Sequence, residues 1–411
     1  MPKLRVLHYQ TNPGGIGYFR LDVPRMALIK RGDVEMAYIT SDDRMSGGLK
    51  TVEQFLGYIG AIRPDVIHLP YTTELADIEK LVAARHVYGI PFIVDFDDDM
   101  RGITADNAAI KAYYNETSQY TRNLFFLLRM ADACTTTKQN LADKFADDVR
   151  KAYVVPNCYS PDHWEHDTIF RRKRDDSVNI GFAAGLNRMG DLLQAKEQLV
   201  YALERYPEVR CLFVTTSPDW AVPYMSNKSK AAANRCFHAR GGPPNIFRSA
   251  IIYYNAEIFI SPLSDAPFND YKTSIKAFDA VGGNSAFLCD DMGAYEDVPT
   301  SCAVKVKGAT EWKHAFDELV PNAEYRAKLA ANLKDWAHDT YHVDKHIDKW
   351  VNLYQEVVAK GPVSSEKELK QGVKAWQSSS LQDPGPAQSL LQKDSSYSAS
   401  LSCMAIAGWA S

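Results

Sequence analysis

No apolar run in this chain reaches the roughly 18 residues that a membrane-spanning helix needs, so a transmembrane class is not expected. Cysteine is sparse and unpatterned. Cys134, Cys158, Cys211, Cys236, Cys289, Cys302 and Cys403 are odd in number and include no Cys-x-x-Cys. Neither a disulfide framework nor a zinc knuckle is indicated, and the thiols read as reduced, mostly buried fillers. An excess of positive charge is lacking too: 47 Lys and Arg stand against 51 Asp and Glu, a net charge of −4. That argues against a protein that grips nucleic acid with its whole surface. The one dense basic run, Arg171-Arg172-Lys173-Arg174, is followed at once by Asp175 and Asp176 and reads as a solvated linker. A Gly-x-Gly-x-x-Gly and a Gly-Lys-Ser/Thr are also missing, which weakens dinucleotide and P-loop readings. A strand-like segment starts at Lys3 and leaves no room for a signal peptide. The expected location is the cytoplasm, the host's if the protein is viral.

What is present is a globular composition, 45% hydrophobic and 24% charged, over 411 residues. That length is too great for one ordinary core, so two domains are expected. The first half alternates short apolar runs with amphipathic stretches. Strands are predicted at 4–9, 34–39, 66–69, 92–96, 133–136 and 152–155, with helices at 17–30, 51–61 and 75–88. A polar stretch follows Val155-Pro156-Asn157, and a second series begins. Its strands are predicted at 178–183, 209–215, 258–262, 285–289 and 303–306, its helices at 191–206, 273–281 and 309–319. Strand and helix alternating with short connections implies parallel sheets covered on both faces. The fold class is therefore α/β with two Rossmann-like domains. The first covers 1–160, a linker 161–178, and the second 179–335. A long helical pattern from Tyr325 to Lys360 is expected to turn back onto the first domain over 336–361. The Ser- and Gln-rich tail, 362–411, cannot bury enough apolar surface to order itself.

Four constellations carry chemistry. Asn12-Pro13-Gly14-Gly15-Ile16-Gly17 lies between strand and helix, where Gly14 and Gly15 would let backbone N–H groups approach an anion. The same residues would also make a plain tight turn. Asp95-Phe96-Asp97-Asp98-Asp99 ends a strand, where ligands of α/β proteins bind. The run could hold a divalent cation, orient sugar hydroxyls through Asp95 and Asp97, or cap a helix. His68, at another strand end, could donate to a sugar hydroxyl or sit structurally in the core. The fourth and most informative is the 261–279 segment. Lys272, Thr273 and Ser274 stand at a helix N-terminus, where donors and dipole converge on an anion, with Lys276 and Asp279 further along.

In these segments, over residues 3–360, the chain resembles GT-B fold glycosyltransferases, in particular the retaining family 4-like group. The Gly14-Gly15 loop, Asp65-Val66-Ile67-His68, Ala131–Thr137, Val154-Val155-Pro156-Asn157, Ile180–Gly185, the Phe268–Asp279 helix and Asp291–Tyr295 occur in that group's order. The resemblance implies a nucleotide-sugar donor on the second domain and an acceptor mainly on the first. It implies that Asp279 takes the place of a ribose-binding glutamate, while Tyr271 stands where the family has its other glutamate. Lys272 and Ser274, in a Phe-Asn-x-x-Lys-x-x-x-Lys pattern, look like a phage-like subgroup, as does the Asp95–Asp99 run, and Arg188 is what remains of a basic pair after the first strand of the second domain. Gly185 would help to hold the donor. The implied reaction is transfer from a UDP- or GDP-sugar to an acceptor hydroxyl, with Lys272, Arg188, the Thr273/Ser274 helix start and the Gly14-Gly15 backbone stabilising the departing diphosphate. His68, Asp95 and Asp97 would position sugar or acceptor. No metal or tightly bound cofactor is implied, and a divalent cation is not expected. The acceptor would be a glycan, a lipid-linked sugar or a hydroxymethylated DNA base. The rival readings are a 2-epimerase-like enzyme that processes the donor alone and a weakened sugar-nucleotide-binding protein.

Overall fold

A computed structural model describes residues 3–12, 14–45, 48–103, 118–165, 176–185, 189–215, 221–230, 234–240 and 244–363. The run Arg171–Arg174, Arg188 and nearly all of the tail lie outside these. The first sheet comprises β1 (Leu4–Tyr9), β2 (Val34–Ile39), β3 (Val66–Pro70), β4 (Phe92–Asp95), β5 (Ala133–Thr136) and β6 (Ala152–Val154), all parallel. The second comprises β7 (Val178–Ala184), β8 (Val209–Thr215), β9 (Cys236–Arg240), β10 (Ile258–Ser261), β11 (Ala286–Asp290) and β12 (Ala303–Val306), again parallel. Central strands are buried along their whole length, Val66–Pro70 and Phe92–Asp95 being apolar apart from His68 and Asp95, as helices covering both faces require.

The strand orders are β2-β1-β3-β4-β5-β6 and β12-β11-β10-β7-β8-β9. Each sheet reverses its winding once, between β1 and β3 in the first and between β7 and β10 in the second. At such a point two adjacent carboxyl ends send their loops apart, and the crevice that opens there is where doubly wound sheets bind ligands. Among the described residues, side-chain bonds join loops at the carboxyl ends of one sheet to those of the other: Lys272 to Asp98, Asn157 to Thr273, Asn140 to the Asp270 carbonyl, and Lys138 to the Gly293 carbonyl and the Glu296 carboxylate. The two carboxyl edges therefore face each other.

The chain ends in two helices where the sequence predicts one continuous pattern. Ala323–Tyr341 packs on the second domain, and Val343–Lys360 crosses to the first. His342 breaks them apart in extended conformation, bridging to Tyr159, with Tyr159 and Val343 completing the backbone bonds. The crossing helix is set by one stripe, Val343, Ile347, Trp350, Val351, Tyr354 and Val357, at helical spacing. Trp350 is 1% exposed and its ring lies 5.2 Å from that of His68. Trp350→Ala should cost about 3–5 kcal/mol, read as a lower denaturation midpoint in urea with an unchanged slope.

Candidate functional site

The glycine loop after β1 leads into a widened turn, Gly17–Asp22, of π-helical geometry, which runs into the helix Val23–Arg31. Pro24 has no N–H to give the Arg20 carbonyl four residues back, so a regular α ladder cannot form across this point. Gly17 is obligatory here: a Cβ would stand 1.9 Å from the Asn12 carbonyl oxygen. The turn drives Arg20 into the core, where it is fully buried. Its Nε and Nη2 donate to the Asp95 carboxylate at 2.9–3.0 Å, and Nη1 donates to the Val155 carbonyl at 2.7 Å and to Asn157 Oδ1 at 3.4 Å. Burial opposes the guanidinium charge, but Asp95 outweighs it and raises the Arg20 pKa. The Thr135 hydroxyl also donates to Asp95.

His68 belongs to the same interior. Its Nδ1 lies 3.0 Å from the Tyr354 hydroxyl, and His8 Nε2 lies 3.0 Å from that same oxygen. One phenolic proton serves both rings: the hydroxyl donates to one nitrogen and accepts from the other. Burial, then repulsion from His8 and Arg20, holds the His68 pKa well below its usual range, and burial takes His8 down to about 3. Both rings are neutral near pH 7. His68 and Asp95, expected at the sugar, are thus engaged beneath the crossing helix with no exposed surface.

The rest of the acidic run fans out. Asp98 accepts from Lys272 Nζ at 3.0 Å across the cleft, and Asp99 pairs with Lys144 at 2.8 Å. Lys272 also sits 4.0 Å from the centroid of the Phe268 ring. A Cβ on Gly102 would lie 3.2 Å from the Phe268 Cα, so the loops after β4 and β10 touch. Asp97 is part-buried and close enough to Asp98, Asp95, Arg20 and Lys272 to feel the charge of each. Burial, followed by repulsion from Asp98 and Asp95, pushes its carboxyl up to about 8 against the pull of Arg20 and Lys272. Among the described residues no three His, Cys, Asp or Glu side chains form a group that could hold a metal ion.

Thr273 and Ser274 begin the helix Ile275–Gly283. The Asn157 amide donates to Thr273 Oγ1 at 2.9 Å, and Ser274 Oγ donates to Asp297 at 2.9 Å, a carboxylate that also accepts from Tyr341. A pocket of about 230 Å³ opens between the domains here, lined by Thr137, Lys138, Asn157, Thr273, Ser274 and Tyr341 among others. Thr137 is 4% exposed, and its hydroxyl has no partner among the described residues. Further along the helix, Lys276 Nζ bonds Asp279 at 2.9 Å, and Trp164 Nε1 donates to the other Asp279 oxygen at 3.4 Å. Trp164 stacks on Phe19 at 5.6 Å, which brings Asp279 to the side of the glycine loop. Gly14 N–H is taken by Asn12 Oδ1 at 2.8 Å, and a Cβ on Gly15 would lie 3.9 Å from the Phe19 ring. Gly185 follows β7 at the switch point.

The structure therefore sets Asp97 near Lys272, puts Thr273 and Ser274 on the interdomain pocket, sets Lys276 and Asp279 beside Trp164, and keeps His68 and Asp95 buried beneath the crossing helix. Arg20 was invisible to sequence reasoning, since a lone arginine in an amphipathic helix reads as surface. Asp191 was missed as well. It accepts from Ser264 N, Ser264 Oγ and Asn269 Nδ2 at 2.9–3.1 Å and so shapes the loop that carries Lys272.

No protein-family model and no curated protein matches the sequence. Solved structures match it over most of its length. A sucrose-phosphate synthase from Thermosynechococcus elongatus superimposes with TM-score 0.61 at 13% identity, covering 87% of this chain and 100% of that one. Anabaena HepE, solved in complex with UDP-glucose, gives 0.56 at 13% identity over 86% and 100%. A glycosyltransferase from Rickettsia africae gives 0.55 at 12% over 87% and 99%. The fold is GT-B: two parallel six-stranded sheets with flanking helices and facing carboxyl edges.

Removing one member of the buried pair leaves the other charge uncompensated. Arg20→Met should destabilise the protein by about 3–5 kcal/mol, and Arg20→Met with Asp95→Leu should recover more than half of that, as measured by equilibrium denaturation.

Proposed function

We propose that this chain is a glycosyltransferase that moves a sugar from a UDP- or GDP-sugar to an acceptor hydroxyl, with retention at the anomeric carbon. The observation that carries this reading is the position of Lys272, Thr273 and Ser274. They stand at a helix start, at the carboxyl edge of β10 beside the switch point, across an interdomain gap from Asp97 and Asp98. A helix start offers N–H groups and a partial positive charge to an anion. A lysine beside it can follow the charge that grows on the leaving diphosphate. The neighbour HepE was solved with UDP-glucose in the same fold, which supports a nucleotide sugar as the ligand of this edge.

Within this reading Lys272 leaves Asp98 for the diphosphate, and Asp279 with Lys276 holds the ribose side. Asp97, largely protonated near neutral pH, donates a hydrogen bond to sugar or acceptor without placing a second negative charge beside the donor. Arg188 would add a second cation to the diphosphate. His68 and Asp95 act at one remove: they hold β3, β4 and the crossing helix in place. Contact between the two carboxyl edges excludes water from the reacting centre. The acceptor is a glycan, a lipid-linked sugar or a modified DNA base. Acceptor binding that falls steeply with salt would select DNA, since phosphate contacts release counterions.

Thermal-shift and mass-spectrometric screening against a panel of nucleotide sugars should find one donor that stabilises the protein and is slowly split to its nucleoside diphosphate. Lys272→Ala should lower kcat/KM for that donor by roughly a hundredfold or more. A folded protein that ignores every nucleotide and nucleotide sugar would refute the proposal.

Asp97 sets a pH dependence whose sign follows from its raised pKa. In the unfolded chain its carboxyl titrates near 3.8; in the fold it keeps its proton to about 8. Between those values the folded state binds more protons, so this group's contribution to stability declines as pH rises through the window. Donor affinity should hold up to about pH 8 and weaken above it, as a new negative charge appears beside the diphosphate. Titration of the donor from pH 6 to 9 should show that decline in the wild type and a flatter curve in Asp97→Asn.

A further inference from the structure

We infer that Asn157 is a positioning residue that turns the Thr273 hydroxyl into a hydrogen-bond donor aimed at the interdomain pocket, where it holds an oxygen of a nucleoside diphosphate. The inference rests on the functional reading above and adds a residue to it. Asn157 closes the Val154-Val155-Pro156-Asn157 segment, to which the donor site otherwise assigns no task.

The argument is one of bond polarity. Asn157 is 5% exposed and sits between two partners, Arg20 Nη1 at 3.4 Å from Oδ1 and Thr273 Oγ1 at 2.9 Å from Nδ2. A guanidinium has only protons to give, so the amide oxygen must face Arg20. The amide nitrogen must then face Thr273, and it too can only donate. Thr273 Oγ1 is the acceptor in that bond, and its own proton points elsewhere. Arg20 cannot turn away, because Asp95 holds its Nε and Nη2 and the Val155 carbonyl holds Nη1 itself. The chain of fixed polarity thus runs from a buried ion pair in the first domain to a hydroxyl at the helix start in the second.

That hydroxyl borders the pocket of about 230 Å³, and Thr137, on the same lining, has a buried hydroxyl with no partner among the described residues. The carboxylates of the lining are already engaged: Glu296 with Lys138, Asp297 with Ser274 and Tyr341. Two threonine hydroxyls and the first N–H groups of the helix still supply protons to the pocket. A ligand made of acceptor oxygens, a diphosphate, fits that supply.

Asn157→Asp tests the polarity while keeping the shape. An aspartate would accept from Arg20 and from Thr273 alike, and so consume the Thr273 proton. Calorimetric titration of UDP and of GDP into the full-length wild type, Asn157→Asp, Thr273→Val, Thr273→Ser and the Asn157→Asp/Thr273→Val double variant should show a specific pattern. Each of Asn157→Asp and Thr273→Val weakens binding roughly tenfold, as loss of one bond to a charged oxygen implies. The double variant binds no more weakly than Thr273→Val alone. Thr273→Ser binds within about twofold of the wild type, and Asn157→Asp melts near the wild-type temperature. If the penalties multiply in the double variant, the added negative charge explains the loss and the relay is overturned. Wild-type affinity in Asn157→Asp overturns it as well. A folded wild type that binds neither nucleotide overturns the functional reading and this inference with it.

Discussion

The ion pair between Arg20 and Asp95 is the constraint around which the rest of the molecule is arranged. A charge taken out of water costs several kcal/mol unless a partner and further hydrogen bonds compensate it. Here the partner arrives from β4, the further bonds from Thr135, Val155 and Asn157, and the flat face of the guanidinium lies 5.3 Å from the Trp350 ring. Five segments therefore meet at one cation: the widened turn after the glycine loop, β4, β5, the end of β6 and the crossing helix. The π-type turn is part of this arrangement, since it is what turns Arg20 inward while Pro24 restarts a regular helix two turns from the glycines.

A second consequence concerns the acidic run. Four carboxylates within five residues would repel one another severely in one cavity. The backbone disperses them: Asp95 goes down to Arg20, Asp98 across to Lys272 and Asp99 sideways to Lys144. Asp97 alone is left without a dedicated cation among these pairs, and it bears the cost as a raised pKa. What reads in sequence as a metal cage or a polar lining is, in the fold, three separate ion pairs and one reluctant acid.

The doubly wound character of both halves was legible because period-two and continuous apolar runs alternate with helical ones, and eleven predicted strands fall on observed ones within a residue or two. The strand Cys236–Arg240 was not. It lies at the sheet edge, and its mix of Phe237, His238 and Arg240 lacks the buried run that marks the central strands. The break at His342 escaped notice for a related reason. Helical periodicity persists on both sides of it, and only the bridge to Tyr159 discloses the change of domain. In the site, Lys272, Thr273 and Ser274 could be located because a strand, a loop and a helix start are all readable. Arg20, His68 and Asn157 could not be sorted into cleft and core, because that distinction depends on which helix covers them. The covering helix comes from some three hundred residues further along the chain, as the separation of 286 between His68 and Tyr354 shows.

The loop after β10 joins the two domains through hydrophobic burial as well as charge. Phe268 is 5% exposed and belongs to the apolar cluster of the first domain, formed with Leu69, Phe96 and Met100 among others; Tyr271 packs against the same cluster with Lys144 over its ring. At Tyr271 the chain has an aromatic ring pressed onto the neighbouring domain. Pulling a phenylalanine out of such a cluster costs about 1.5–3 kcal/mol, and the ion pair of Lys272 with Asp98 sits beside it. The arrangement seen here, with the edges in contact, is therefore held by the same short loop that presents Lys272. A ligand that takes Lys272 away from Asp98 removes the electrostatic part of that contact and leaves the aromatic part in place. Under the proposed function, closure and donor binding are coupled through one lysine without the domains having to separate.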